Sequence, residues 1–273
     1  LHGMVAMYEI LGQDLSKGIL MSAFGFPPIA QGNWMNYARM VDMDLEHGGP
    51  ILPSDGEVPS AICLVNPFGY RCDIDYYRGY CDKHGVLLWF DNAACAKHIM
   101  PDGTNLNDLA DASCVSLHET KIIGRGEGGL LLVKPEHFQA AVRAVNFGYD
   151  YTTPPTERAA TWLRSASNWR MSDVAAAAIL SCWELNWQHW EDYMHDHDDE
   201  ITDMPPFKRG LKGTLMNTCC EYRKDRKNFE IKQYYYPLLS REEAPNAWNF
   251  YDTTQCRPFH PPGGANPASY LGP

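Results

Sequence analysis

No stretch of this 273-residue chain approaches the roughly 18 consecutive apolar residues of a membrane-spanning helix. Its longest tight apolar runs, GVLLWF and GGLLLV, are strand-sized, so a protein integral to a membrane is not expected. Positive charge is scarce: 23 Lys and Arg against 34 Asp and Glu leave a net charge of −11, which argues against non-specific binding to nucleic acid polymers or anionic membranes. The nine cysteines (63, 72, 81, 95, 114, 182, 219, 220 and 256) are odd in number and contain no C-x-x-C pair. Reduced thiols in a cytoplasm are therefore expected, several of them as small buried hydrophobes in AICLV and DASCVSL, and no metal site is expected. The first residues, LHGMVAMYEILGQ, lack an initiator Met, a basic n-region and a small-residue cleavage site. The reading is no secretory signal and a chain cut into at its N-terminus.

What remains is enough for a real core. With 45% hydrophobic residues and a mean hydropathy of −0.38, the composition is that of a globular chain rather than a disordered one. A chain of this length buries roughly 70–75% of its unfolded surface. From Lys17 to about Val133, strand-sized runs (GILMSAF, SAICLVN, VLLWFDN, DASCVSL, GGLLLV) alternate with amphipathic stretches, which indicates an α/β domain with a largely parallel sheet. In CDIDYYRGYCDKHGVLLWFD, a helical pattern stops at Gly85 and a buried strand follows. Ligands of such sheets gather at the carboxyl ends of the strands, so Asn66, Asp91 and the residues after Val115 are the first places to look for chemistry.

The texture changes after Pro135. EHFQAAVRAVNFG reads as a helix, TTPPTE as a loop, and SDVAAAAILSCWELNWQHWEDYMHD as one long helix capped by Ser172 or Asp173. A boundary near residues 148–156 divides a large α/β domain, 1–150, from a smaller α+β region, 151–273. No internal repeat is found.

GRGEGG, residues 124–129, matches G-x-G-x-x-G, but it precedes a strand instead of following one and opening a helix, so it is not a dinucleotide fingerprint. HDHDDE, residues 195–200, reads as a solvated acidic helix end. The informative pair is Asp91, at the end of a buried strand, and Lys121, in a polar glycine-flanked loop. Taken alone, they are equally readable as a structural ion pair and as a functional one.

The segment around that lysine, CVSLHETKIIGRGEGG, resembles the cofactor-lysine motif of the DegT/DnrJ/EryC1/StrS family of pyridoxal-phosphate (PLP) sugar aminotransferases. Six further segments fall in the family's order: AFGFPPIAQGNW…RMVDMD, LVNPFGYRCDID, FDNAA, SNWRMSDVAAA, QYYYPLL and YDTTQCRPFHP. The resemblance runs from about Gly3 to Pro261. It implies the fold type I of PLP enzymes: a mostly parallel seven-stranded sheet flanked by helices, a small C-terminal α+β domain, and a homodimer with active sites at the interface. The family's segment before the glycine motif, and its usual final helix, are expected to be missing.

The resemblance also implies roles. Lys121 bonds to the cofactor aldehyde and shuttles the substrate proton, and Asp91 pairs with the pyridinium nitrogen. Ser116, with backbone N–H groups at Gly3 and Met4, receives the phosphate. Phe26 stacks on the ring, and Asn168 reaches the neighbouring subunit's phosphate. His118 and Arg170 are candidate substrate contacts, with Lys208, Arg209 and Arg223 as further cations for a nucleotide diphosphate. Met4 stands where the family has Thr, and Ala94 where a Gln or His packs on the cofactor. The expected activity is transfer of an amino group, from glutamate, to a 3- or 4-keto nucleotide-linked deoxysugar, as in polysaccharide biosynthesis. A catalytically silent scaffold of the same fold and a PLP-dependent sugar dehydratase are the alternatives.

Overall fold

The apolar runs become strands, and each long amphipathic stretch becomes a helix laid against them. The computed structural model describes residues 15–27, 37–54, 56–118, 121, 127–150, 152–158, 168–200, 203–210, 218–222 and 235–258. In its first half lie β1 (Ile19–Ser22), β2 (Phe24–Gly25), β3 (Ala38–Val41), β4 (Ala61–Val65), β5 (Leu87–Asp91), β6 (Ala112–Ser116) and β7 (Gly129–Val133). Among the described residues the main sheet has six strands, against the seven the resemblance implies, in the order β3-β1-β4-β5-β6-β7. Its first five strands are mutually parallel, and β7 runs antiparallel to β6.

Every residue of β1 and β4 is buried, the mark of a sheet covered on both faces. Alternation along the strands sorts the side chains into two cores. Leu20, Ile62, Leu64, Leu88 and Phe90 face one, packed with Ile74, Tyr77 and Cys81 of helix α1 (Ile74–His84). Ile19, Met21, Cys63, Trp89 and Cys114 face the other, closed by Ala141 and Ala144 of α2 (Phe138–Val145). Helix α1 stops at Gly85, whose φ of +65° is the left-handed conformation that glycine adopts without a Cβ penalty.

The later chain joins the first of these cores. Trp190 and Met194 pack with it, as does Phe250 further along the chain. The long helix expected over residues 172–196 is instead two, α3 (Asp173–Leu180) and α4 (Trp183–Asp196). Ser172 caps the first, its hydroxyl accepting the Ala175 N–H at 3.2 Å. The break falls where Ser181 Oγ and Cys182 Sγ both donate to the Ala178 carbonyl, competing with the helical backbone bonds. Beyond these lie β8 (Thr218–Tyr222), β9 (Tyr236–Pro237), α5 (Pro245–Thr253) and β10 (Thr254–Pro258). β9 pairs with β2, and the Asp42 carboxylate at the end of β3 accepts the Asn246 and Ala247 N–H groups at 2.9 and 3.0 Å. Those two N–H groups are orphans of the α5 N-terminus, so a carboxylate there is well placed both as a cap and against the helix dipole.

Cys63, Cys72, Cys81, Cys95 and Cys114 are buried free thiols. Burial pushes Cys81 and Cys114 up to about 12, so none of the charge of a thiolate is present at neutral pH in either. No helix among the described residues is long and apolar enough to cross a membrane.

Candidate active site

Strand register brings the chemistry-bearing residues to one edge. Val65 lies opposite Asp91, and Asp91 opposite Cys114, so the carboxyl ends of β4, β5 and β6 are level. The backbone continues that alignment past the strands: Asn66 N–H donates to the Asp91 carbonyl at 3.1 Å, and Asn92 N–H to the Cys114 carbonyl at 2.9 Å. This is the edge at which open parallel sheets present their ligand sites.

Asp91 Oδ1 accepts the Ala93 N–H at 3.1 Å. Burial nevertheless dominates and pushes its carboxyl above the ordinary range, the Ala93 N–H and the nearby Lys121 only opposing it. Lys121 is the mirror case. Burial holds its ammonium below the ordinary lysine value, against the pull of Asp91 and Cys95. Each group's charge is thus costly alone and eased by the other, the relation expected of a half-buried acid and base that share a site.

The loop carrying the lysine is pinned at its base. Leu117 N–H donates to the Gly128 carbonyl at 3.0 Å, and Lys121 N–H to the His118 carbonyl at 2.8 Å. Ser116 Oγ accepts the His118 N–H at 3.2 Å, which leaves the hydroxyl proton to point at a ligand. His118 Nε2 lies 3.3 Å from Glu127 Oε1. The SNWRM segment reaches this loop through Met171, whose Cε lies within 2.7 Å of where a Gly128 Cβ would be.

Asp91, Ser116, His118 and Lys121 therefore belong to one edge and its adjoining loop. Ala94 is buried just beyond it. Phe26 is 46% exposed; it is Phe24 that is buried, its ring 5.0 Å from that of Phe250. Asn168 is exposed, its Oδ1 accepting Arg170 Nε at 3.2 Å, and the Arg170 guanidinium lies 5.9 Å from the Phe147 ring centre. Lys208 pairs with Asp73 and Arg209 with Asp198. Gly3, Met4 and Arg223 lie outside the described residues.

Sequence reasoning missed what underlies this edge. Asn66, Asn92, Asn107 and Ser113 are buried and joined by side-chain hydrogen bonds. The visible signal was an asparagine directly after each of β4 and β5. It also missed His98, which is fully buried and whose Nδ1–H donates to the Gly69 carbonyl at 2.8 Å, bracing the turn after β4 in which Phe68 holds a φ of +56°. Burial lowers this imidazole to about 4, so the folded state resists a proton that the unfolded chain accepts near 6.5. Stability should be fully present above pH 6.5 and fall by up to about 3 kcal/mol as the pH drops to 4. Denaturant melts across that range check it, and in His98→Asn the same drop should be smaller by about that amount.

The DegT/DnrJ/EryC1/StrS aminotransferase family matches residues 55–256. GDP-perosamine synthase of Vibrio cholerae is 35% identical over 74 residues, covering 26% of this chain and 19% of that protein. DesI, solved with its TDP-sugar product, superposes with a TM-score of 0.58 at 22% identity, over 74% of this chain and 52% of DesI. Spr1654 of Streptococcus pneumoniae, solved in its PMP form, gives a TM-score of 0.66 at 14% identity, over 95% of this chain and 79% of that one. The chain thus spans about half of DesI, and its match to the perosamine synthase covers a fifth of that enzyme. With a family match over most of its length and the α/β architecture of those structures, this chain belongs to the DegT/DnrJ/EryC1/StrS aminotransferase family.

Proposed function

We propose that the protein is a PLP-dependent aminotransferase that moves an amino group, from glutamate, to the 3- or 4-keto carbon of a nucleotide-linked deoxysugar. The observation that carries this is the half-buried Asp91 and Lys121, each shifted toward its neutral form and each eased by the other, at the carboxyl edge of a parallel sheet. The reading takes 1–150 as the cofactor-binding domain, 151–273 as the smaller domain, and the working form as a cytoplasmic homodimer. The names of DesI, with its TDP-sugar product, and of GDP-perosamine synthase support the substrate class, and the PMP form of Spr1654 supports the cofactor.

The residues present fit that cofactor. A half-buried carboxylate whose charge is eased by a facing cation suits a protonated ring nitrogen, a lysine biased toward its free amine suits an aldehyde, and Ser116 has a hydroxyl proton to donate to a phosphate. PLP, when bound, supplies an electron sink for the pair left on carbon as a proton is removed. Lys121 would hold the cofactor covalently until the donor amine displaces it and, as the amine so freed, would carry the proton from the donor carbon to the cofactor's C4′ carbon. Asp91 keeps the proton on the ring nitrogen. Ser116, with the backbone at Gly3 and Met4, positions the phosphate; Phe26 and Ala94 flank the ring; Asn168 serves the partner subunit; His118 and Arg170 face the substrate.

Asp91→Asn should keep the cofactor but slow amino transfer by about 10²–10³-fold, since an amide holds no proton on the nitrogen. Single-turnover kinetics with glutamate measure this. The function as a whole is tested by supplying the full chain with PLP, glutamate and a keto-deoxysugar nucleotide and weighing the product. Gain of an amine supports the assignment, and loss of water would make the protein a dehydratase. Met4 and Ala94, which depart from the family's residues, favour the silent scaffold as second reading; PLP held with no reaction on adding donor would establish it.

A further inference from the structure

The edge that presents Asp91 rests on a chain of buried amides. Asn92 Oδ1 accepts Asn66 Nδ2 at 2.6 Å, and Asn92 Nδ2 donates to Asn107 Oδ1 at 2.8 Å. Asn107 Oδ1 also accepts Ser113 Oγ at 2.5 Å, and Asn107 Nδ2 donates to the Ala96 carbonyl at 3.2 Å. At the other end Asn66 Oδ1 accepts the Cys72 N–H at 2.9 Å. Asn66, Asn92 and Ser113 are wholly inaccessible and Asn107 nearly so. All the amide oxygens and nitrogens of the three asparagines are engaged.

Burial alone does not call for such a chain. Amides in a core cost free energy unless fully paired, and apolar side chains would fill the same space at no such cost. What a satisfied network contributes is one fixed geometry. Asn92 is the residue after Asp91, and its own N–H is tied to Cys114 while the Asp91 carbonyl is tied to Asn66. Its side chain is clamped between β4's exit and the turn containing Asn107 (Leu106–Leu109), so the peptide carrying Asp91 has no freedom to rotate. Strand alternation then directs Asp91 to the face of Trp89, Cys63 and Cys114, opposite to the amides.

We propose that Asn92, through the Asn66–Asn92–Asn107 chain, is a positioning residue that fixes the Asp91 carboxylate for its work on the cofactor nitrogen. The inference rests on the aminotransferase reading above. A displacement of about 1 Å at a reacting group costs on the order of 10- to 100-fold in rate, and that is the range expected for Asn92→Ala.

The test is a double-mutant cycle on the full chain loaded with PLP, with glutamate as donor, following the cofactor's visible absorbance in single turnovers. Asn92→Ala should retain the band, shift the pH at which it titrates, and slow its bleaching 10- to 100-fold with little change in donor KM. In an Asp91→Asn background the same substitution should slow bleaching by less than about 3-fold, because the carboxylate it positions is gone. Equal losses in both backgrounds, or an unshifted band with unchanged bleaching, would overturn the inference. Should Asn92→Ala fail to fold, Asn107→Leu, one link further from Asp91, carries the same expectation. Absence of any band in the unsubstituted protein overturns the aminotransferase reading itself, which distinguishes the two failures.

Discussion

Lys121→Ala should lower amino transfer by about 10⁴-fold or more, a larger loss than any other single substitution in the protein. Two functions go at once: the covalent hold on the cofactor and the amine that moves the substrate proton. The lysine is suited to the second because burial holds its ammonium below the ordinary value, so the free amine is available at a lower pH than on an exposed lysine. Added small amines should restore part of the proton transfer but not the covalent hold. A substitution that left steady-state transfer within tenfold of the original would remove Lys121 from the chemistry.

The second large effect lies at the opposite end of the strands. Asp111, 6% exposed, accepts the Leu88 N–H at 2.8 Å and Arg78 Nη1 at 3.1 Å on one oxygen, and Lys134 on the other. Burial alone would raise this carboxyl, but the Leu88 N–H, Lys134 and Arg78 outweigh it and hold it below the ordinary range. Asp111→Ala strands a buried strand N–H and leaves the part-buried Arg78 with only Asp82 for a partner, and should cost about 3 kcal/mol, read as a shift in denaturant midpoint at unchanged m. Because the folded-state carboxyl is depressed, its contribution is present above the unfolded value near 4 and fades as the pH falls through the folded one. In Asp111→Ala that acid-side loss should be absent. A cost below 1 kcal/mol would mean that the cluster contributes little.

These sites differ in how far the sequence betrayed them. The sheet was legible because its strands are continuous apolar runs: SAICLVN and DASCVSL can be buried on both faces and nowhere else. Asp91 and Lys121 were legible for a related reason, since a charge at the mouth of such a run, and a lysine among glycines, contradict their surroundings. The helix break at Ser181 was not, because side-chain hydrogen bonds to a preceding turn leave no mark on a hydrophobic period. Neither was the amide chain, whose members come from two strand exits, the turn before β6 and β6 itself, and meet only once the sheet is in register. Asn66 drew attention by its place after a strand, but that its partner would be Asn92 follows from pairing, not from spacing. Phe24 and Phe26 lie two residues apart, and the first is buried while the second is half exposed, a difference no apolar run announces.

Whether Asp91 and Lys121 form a cofactor site is read from the absorbance spectrum of the full chain after adding PLP, repeated with Lys121→Ala. A visible band is expected that is lost in the variant and bleaches when glutamate is added to the unsubstituted protein. A correctly folded protein with no such band, or one whose band survives Lys121→Ala unchanged, would contradict that expectation.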